Sequence, residues 1–251
     1  MRLLVTGAAG YCGPALVEVL GREHWLRCTT FHTKMEPPAN GEVVQVDLSR
    51  FADAEALVQG IDAVVHSAAV AQKMGEHPNP EGPMKSTVVG TANLLEAAHR
   101  AGIKRFVLVS SGAVITGYSR DTYIHAGLPH KFKGLYCLTK SLQERIAMQY
   151  AEEYGMVIPC LRPWSVVDGR TFTYASGQPI RKGDGAYFGL VCRYDLAEAC
   201  RLALTAPLEG FQAFHIMVTE PGRRWFDVDR TERLLGWKPA VSFAQFSPDQ
   251  Q

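Results

Sequence analysis

The sequence predicts an α/β protein built on a doubly wound parallel sheet with a small C-terminal lobe. Two observations carry that expectation. Short apolar runs alternate with helical patterns along the chain, the signature of successive strand–helix–strand units. The first of these runs, Leu3 to Thr6, passes through a glycine-rich turn straight into an amphipathic helix.

Taken in order, the strand patterns are Leu3 to Thr6, Trp25 to Phe31, Val43 to Val46, Ala63 to His66, Phe106 to Ser110, Val157 to Leu161 and Phe214 to Val218. The helical patterns between them are Cys12 to Gly21, Asp53 to Gly60, Pro83 to Ala101, Gly134 to Tyr154, Tyr194 to Thr205 and Asp229 to Leu235. Residues 1–161 form the main domain, and 162–251 a smaller segment integrated with it. Regularity fades after Leu161, where Gly169, Gly177, Gly183, Gly185 and Gly189 punctuate the chain. A long loop in a compact protein is usually functional, so this stretch and the one from Thr116 to Lys133 are candidate pocket walls.

Composition narrows the partners. The chain has 251 residues, 26 basic and 25 acidic, for a formal charge of +1. That balance exerts no general pull on nucleic acid or an anionic membrane, so a small-molecule substrate is expected. The six cysteines (Cys12, Cys28, Cys137, Cys160, Cys192, Cys200) lack zinc-ligand spacing and read as reduced, buried thiols, with no metal site. No uncharged apolar run approaches the ~18 residues of a membrane helix. The opening MRLLVTGAAG is broken too early for a signal peptide or anchor, and a cytoplasmic location is expected.

Gly7, Gly10 and Gly13 stand between the first strand and the first helix. Gly7 can make the tight turn, Gly10 lets backbone approach a pyrophosphate, and Gly13 allows close helix packing. The helix start then offers free N–H groups to the anion. This is the Rossmann-type arrangement for a dinucleotide. An NAD site normally carries an acid about twenty residues on, at the end of the second strand, to bond the ribose 2′-hydroxyl. Here the window reads Thr29, Thr30, Phe31, His32, Thr33, Lys34, and the first carboxylate is Glu36. Missing acid and nearby cations tilt the expected cofactor from NAD toward NADP, whose 2′-phosphate a cation can meet.

Tyr136 and Lys140 lie one turn apart on a predicted helix, so both project from one face. A phenol titrates near 10 and is a poor base at neutral pH, but a neighbouring ammonium favours the phenolate. Such a pair can exchange the proton of an alcohol while hydride moves to or from a nicotinamide. A hydroxyl at a strand end should hold the reacting oxygen, and RFVLVSSG supplies Ser110 and Ser111.

These motifs, in this order, resemble the extended short-chain dehydrogenase/reductases, the NAD-dependent epimerase/dehydratase family. TGAAGYCG looks like their TGxxGxxG turn; GTANLLEAA (Gly90 to Ala98), VVHSAA (Val64 to Ala69), LRPWS (Leu161 to Ser165) and LLGWKP (Leu234 to Pro239) extend the likeness over nearly the whole chain. The family's catalytic hydroxyl precedes its tyrosine by about 25 residues, and Ser111 precedes Tyr136 by 25, so Ser111 inherits that role and Ser110 closes the strand. The resemblance further implies cofactor contacts at Tyr11, Cys12, Ala68 and Pro163, an adenine-contacting Asp47 with its apolar neighbour Leu48, and His66 beside the nicotinamide. For Asp47 a helix-capping role, and for His66 a structural one, are the alternatives. Helices of this family pair in homodimers, and those at Pro83 and Gly134 are the candidates.

The chain also departs from the family. Thr87 stands where an asparagine is common, and Gly112 and Ala113 follow Ser111 where sugar dehydratases carry an Asp-Glu pair, which disfavours dehydration. The usual Tyr-Gly pair is Ile115 and Thr116. The short length and the stretches Ser110 to Tyr118 and GLYCLTKSLQE are similar to small uronate dehydrogenases, which oxidise a sugar acid. Substrate contacts are then expected from Ser111, Gly112, Tyr136, Ser165 and Arg170, the last by bidentate pairing with a carboxylate. The expected activity is hydride transfer at a hydroxyl or carbonyl of a sugar-like molecule. A nucleotide-sugar epimerase and a non-catalytic dinucleotide sensor are the alternatives; Tyr136 and Lys140 argue against the sensor.

Overall fold

The computed structural model describes residues 1–70, 79–119 and 121–248. In chain order its regular elements begin with β1 (Arg2–Thr6), α1 (Gly13–Leu20), β2 (Trp25–Thr30), β3 (Gly41–Gln45), α2 (Phe51–Leu57) and β4 (Ala63–His66). Next come α3 (Glu81–Pro83), a π-helical turn at Met84–Val89, α4 (Gly90–Arg100), β5 (Arg105–Val109), α5 (Leu135–Tyr154), β6 (Ile158–Pro163) and β7 (Ser165–Val167). The chain closes with β8 (Leu190–Cys192), α6 (Arg193–Ala203), β9 (Phe211–Ile216), α7 (Glu220–Trp225) and α8 (Val228–Leu235).

Seven strands form one parallel sheet in the order β3-β2-β1-β4-β5-β6-β9. Strands covered on both faces need apolar residues at consecutive positions, and Leu3, Leu4 and Val5 of β1 have no exposed surface. Alternate side chains feed two cores: Leu3 and Val5 meet α1 and α6, while Leu4 and Val64 meet α2, α4 and α5. Helix α1 buries Gly13, Ala15, Leu16, Val19 and Leu20, one stripe at helical spacing. Helix α5 stops at Gly155, whose φ of 63° is the left-handed cap that glycine adopts without penalty.

Three expectations are corrected. The last strand runs from Phe211 to Ile216 rather than Phe214 to Val218, because Gly210, at φ 57°, turns the chain and its carbonyl takes the Ile158 amide, setting Phe211 beside Ile158. The helix expected from Pro83 to Ala101 contains the wider turn at Met84–Val89, in which Thr87 is buried. The stretch after Leu161, expected as loop, holds β7 and β8 as a parallel pair over a third apolar cluster of Val167, Ile180, Tyr187, Leu190, Cys192 and Phe243. Because β9 completes the main sheet, the residues after 161 share its core and also build one wall above its C-terminal edge.

Candidate active site

Strand order reverses between β1 and β4, and an open parallel sheet binds ligands in the crevice beyond such a switch point. A cleft of about 460 Å³ lies there. Its floor is the glycine turn. Gly7 has φ 71°, and a Cβ on it would sit 2.8 Å from the Ala68 nitrogen; a Cβ on Gly13 would sit 1.9 Å from the Ala8 carbonyl oxygen. Gly7 and Gly10 line the cleft, whereas Gly13 sits beneath it and seats α1 on the turn. The Tyr11 and Cys12 amides have no backbone acceptor among the described residues, and no side chain caps α1. Two free donors at a helix start fit a pyrophosphate.

One end of the cleft lies beyond the ends of β2 and β3. Thr29, Thr30, Phe31, His32 and Thr33 line it from β2, and Val46, Asp47 and Leu48 from the end of β3. Asp47 Oδ1 accepts from the Ser49 amide at 2.9 Å, while the α2 cap position is Arg50, so Asp47 turns the loop rather than capping the helix. Lys34 lies in a separate hollow with Ala8, Pro14 and Glu18, off the cleft. Val70 also lines the wall, and its amide donates to Thr87 Oγ1 at 3.2 Å, so the threonine reaches backbone where the family often has asparagine.

At the other end, Ser111, Tyr136, Lys140 and Pro163 share the wall, with Ala68 and Cys12 between the two ends. Ser111 is extended at the end of β5 and its Oγ accepts from the Ala113 amide at 3.1 Å. Burial raises the Tyr136 phenol, and a hydrogen bond from Ser111 draws it partly back. The sequence expectation that the lysine lowers the tyrosine is therefore not met in this state. Lys140 Nζ instead donates to the Val109 carbonyl at 3.0 Å, and burial pulls its ammonium down to about 8. Cys12 remains a neutral thiol, pushed by burial to about 11.

Four expected contacts lie elsewhere. Arg170 donates to both carboxylate oxygens of Glu18, at 2.8 and 2.6 Å, and stacks 3.6 Å over the Tyr194 ring, outside the cleft lining. Ser165 sits in β7 and is likewise outside the lining, as is Gly112, where a Cβ would be 2.4 Å from Trp164 Cε3. His66 is fully buried between Thr6 Oγ1 at 2.7 Å and Thr91 Oγ1 at 2.9 Å, and burial pulls it down to about 3. It is a neutral structural histidine behind the site.

Sequence reasoning missed two features. Trp164 and Val166 line the cleft with Ser111, Tyr136 and Lys140, Trp164 occupying the space a side chain at 112 would need. One turn beyond Lys140, Glu144 has no exposed surface and accepts from Ser110 Oγ at 2.5 Å, Arg162 Nε at 3.0 Å and Arg162 Nη2 at 2.6 Å. His130 Nε2 lies 3.1 Å from the same carboxylate. Burial alone would raise that carboxyl, but the His130 and Arg162 bonds hold it well below the usual range. The legible signal was spacing: Tyr136, Lys140 and Glu144 recur every four residues on one helix face. Among the described residues, no group of three His, Cys, Asp or Glu could hold a metal, and no helix is long and apolar enough to cross a membrane.

A family model described as NAD dependent epimerase/dehydratase family matches residues 3–176. A 3 beta-hydroxysteroid dehydrogenase/Delta 5-->4-isomerase of Mycobacterium tuberculosis is 36% identical over 170 residues, 64% of this chain and 46% of that protein. A uronate dehydrogenase of Pseudomonas putida is 36% identical over 166 residues, 64% of this chain and 59% of its own. The chain thus spans about half the length of the curated relatives it matches. Among solved structures, uronate dehydrogenase from Agrobacterium tumefaciens superposes with a TM-score of 0.82 at 26% identity, covering 98% of this chain and 86% of that one. A mutant of that enzyme has been solved with NAD.

Proposed function

The chain belongs to the NAD dependent epimerase/dehydratase family, and from that premise we propose that it is a nicotinamide-dependent oxidoreductase acting at a hydroxyl or carbonyl of a sugar-like small molecule. The observation that carries this reading is one cleft joining the glycine turn to Ser111, Tyr136 and Lys140. The turn amides of Tyr11 and Cys12, which have no backbone acceptor among the described residues, would hold the pyrophosphate, and Asp47 and Leu48, in the cleft lining, would flank the adenine. The bound nicotinamide would supply or accept hydride. Ser111 Oγ holds the reacting oxygen and Tyr136 exchanges its proton; the buried Lys140 ammonium favours the phenolate once a ligand displaces it from the Val109 carbonyl.

Gly112 lies under Trp164, so the acid pair of a dehydratase has no counterpart after Ser111 and the cleft favours simple hydride transfer. Trp164 and Val166 present an apolar face to a sugar ring. At the adenosine end, His32 and Thr33 line the cleft where an NAD enzyme would place its acid, which favours NADP. A homodimer through α4 and α5 is part of this reading, since Val89, which leads into α4, and Leu138 on α5 are exposed. The test is a screen of sugars, sugar acids and nucleotide sugars with each cofactor, followed by absorbance of the reduced nicotinamide. Turnover with NADP exceeding that with NAD supports the reading; no turnover across the panel with either cofactor counts against it.

A further inference from the structure

We propose that the protein has a second ligand site, separate from the cofactor cleft, for a small molecule carrying a phosphate group. A cavity of about 660 Å³ opens between α5, the loop of residues 126–130 and the start of edge strand β9. It shares no lining residue with the cofactor cleft. That volume falls within the range of small-molecule sites, of order 300–1,000 Å³.

Its chemistry is cationic. Arg145, Arg162, Arg230 and His130 line it, and no carboxylate does. Two carboxylates stand behind that surface: Glu144 is bonded to Arg162 and His130, and Asp227 accepts the Arg230 backbone amide at 3.2 Å. Arg162 is therefore neutralised, but the other two guanidiniums are not. Arg145 is exposed and makes no hydrogen bond or ion pair with a described residue. The Arg230 side chain bonds only neutral oxygens, the Ala213 carbonyl at 2.7 Å and Gln212 Oε1 at 2.8 Å, and packs 4.8 Å over the Phe214 ring. Those partners fix its orientation without cancelling its charge, and burial lowers its pKa, the mark of a partly desolvated cation. One fixed and one unpaired guanidinium lining a cavity suit a phosphate monoester, which offers about −1.5 to −2 charge and three acceptor oxygens at neutral pH. Ser141, with its hydroxyl 2.7 Å from His130 Nδ1, and Met148 supply a hydroxyl and an apolar wall for the rest of the molecule.

The site also touches the catalytic end. Arg162 and His130 both hold Glu144, which holds Ser110 beside Ser111. An anion that draws on Arg162 or His130 therefore pulls on the carboxylate that steadies the serine strand.

The test uses inorganic phosphate titrated calorimetrically into the whole protein at constant ionic strength. Saturating reduced dinucleotide is present throughout, so that the glycine turn is filled. Saturable phosphate binding is expected, weakened at least about tenfold in Arg145→Glu and in Arg230→Gln, with acetate binding more weakly than phosphate. Arg145 is exposed on a helix, so that variant keeps its fold, and unchanged dinucleotide affinity verifies it. Absence of phosphate binding, or equal binding in both variants, overturns the site. Because dinucleotide affinity is measured in a separate titration of the same preparations, failure of this site is distinguishable from failure of the cofactor cleft.

Discussion

Ser110 Oγ donates a 2.5 Å hydrogen bond to Glu144 Oε1, tying the end of β5 to α5 two turns beyond Tyr136. Ser111 and Tyr136 sit on different elements, and this bond, together with Lys140 Nζ on the Val109 carbonyl, holds those elements in register. Ser110→Ala removes the tie while sparing the Glu144–Arg162 pair. It is expected to lower kcat roughly ten- to a hundredfold with cofactor affinity unchanged, since small misplacements of reacting groups cost that much. Glu144→Gln leaves Arg162 buried beside an uncharged partner and should also destabilise the fold by about 3 kcal/mol. Steady-state kinetics and urea unfolding of the two variants check both statements.

Lys140 gives a pH-dependent prediction. Burial lowers its folded-state pKa to about 8, against about 10.4 in an unfolded chain. Between those values the unfolded chain binds a proton that the folded one does not, so the folded state gains stability as pH rises. The penalty is full below the lower value and gone above the upper one. Relative to Lys140→Met, the protein should gain up to about 3 kcal/mol in urea unfolding across this window. A constant difference across that pH range would contradict the burial.

Gly13→Ala places a Cβ 1.9 Å from the Ala8 carbonyl oxygen, a contact that only backbone movement can relieve. A loss of stability of at least about 2 kcal/mol is expected, with weaker dinucleotide binding because the turn itself must shift. Thermal unfolding and a fluorescence titration with reduced dinucleotide read the two effects.

Arg170→Ala is expected to leave both KM and kcat unchanged for every substrate that is turned over. Its guanidinium serves Glu18 and Tyr194 on the surface, not the cleft. A raised KM for an acidic sugar in this variant would restore the arginine to the site.

The parts of the fold legible in the sequence were those whose pattern is local. Leu3 to Val5 run apolar without a break because both faces of β1 are covered, and the glycines at 7, 10 and 13 mark a turn that tolerates no side chain at its tightest points. Tyr136 and Lys140 share a helix face at a spacing that sequence alone displays. What the sequence hid depends on contacts between distant segments. Arg170 looked free because nothing local indicates that Glu18, on the distant helix α1, would take it. Trp164 stood out only as part of the LRPWS match until Gly112 proved to be the space it fills. The Lys140 ammonium looked available to the phenol, yet it rests on the carbonyl of Val109, on a strand well back along the chain.

The central claim is that Tyr136 carries the proton for hydride transfer in the cleft it shares with the glycine turn. The direct measurement is single-turnover nicotinamide absorbance in Tyr136→Phe, with a substrate found by the screen and dinucleotide affinity measured in the same preparation. The expected result is a loss of turnover of at least about a hundredfold with dinucleotide affinity kept. Turnover close to that of the unaltered protein would contradict it.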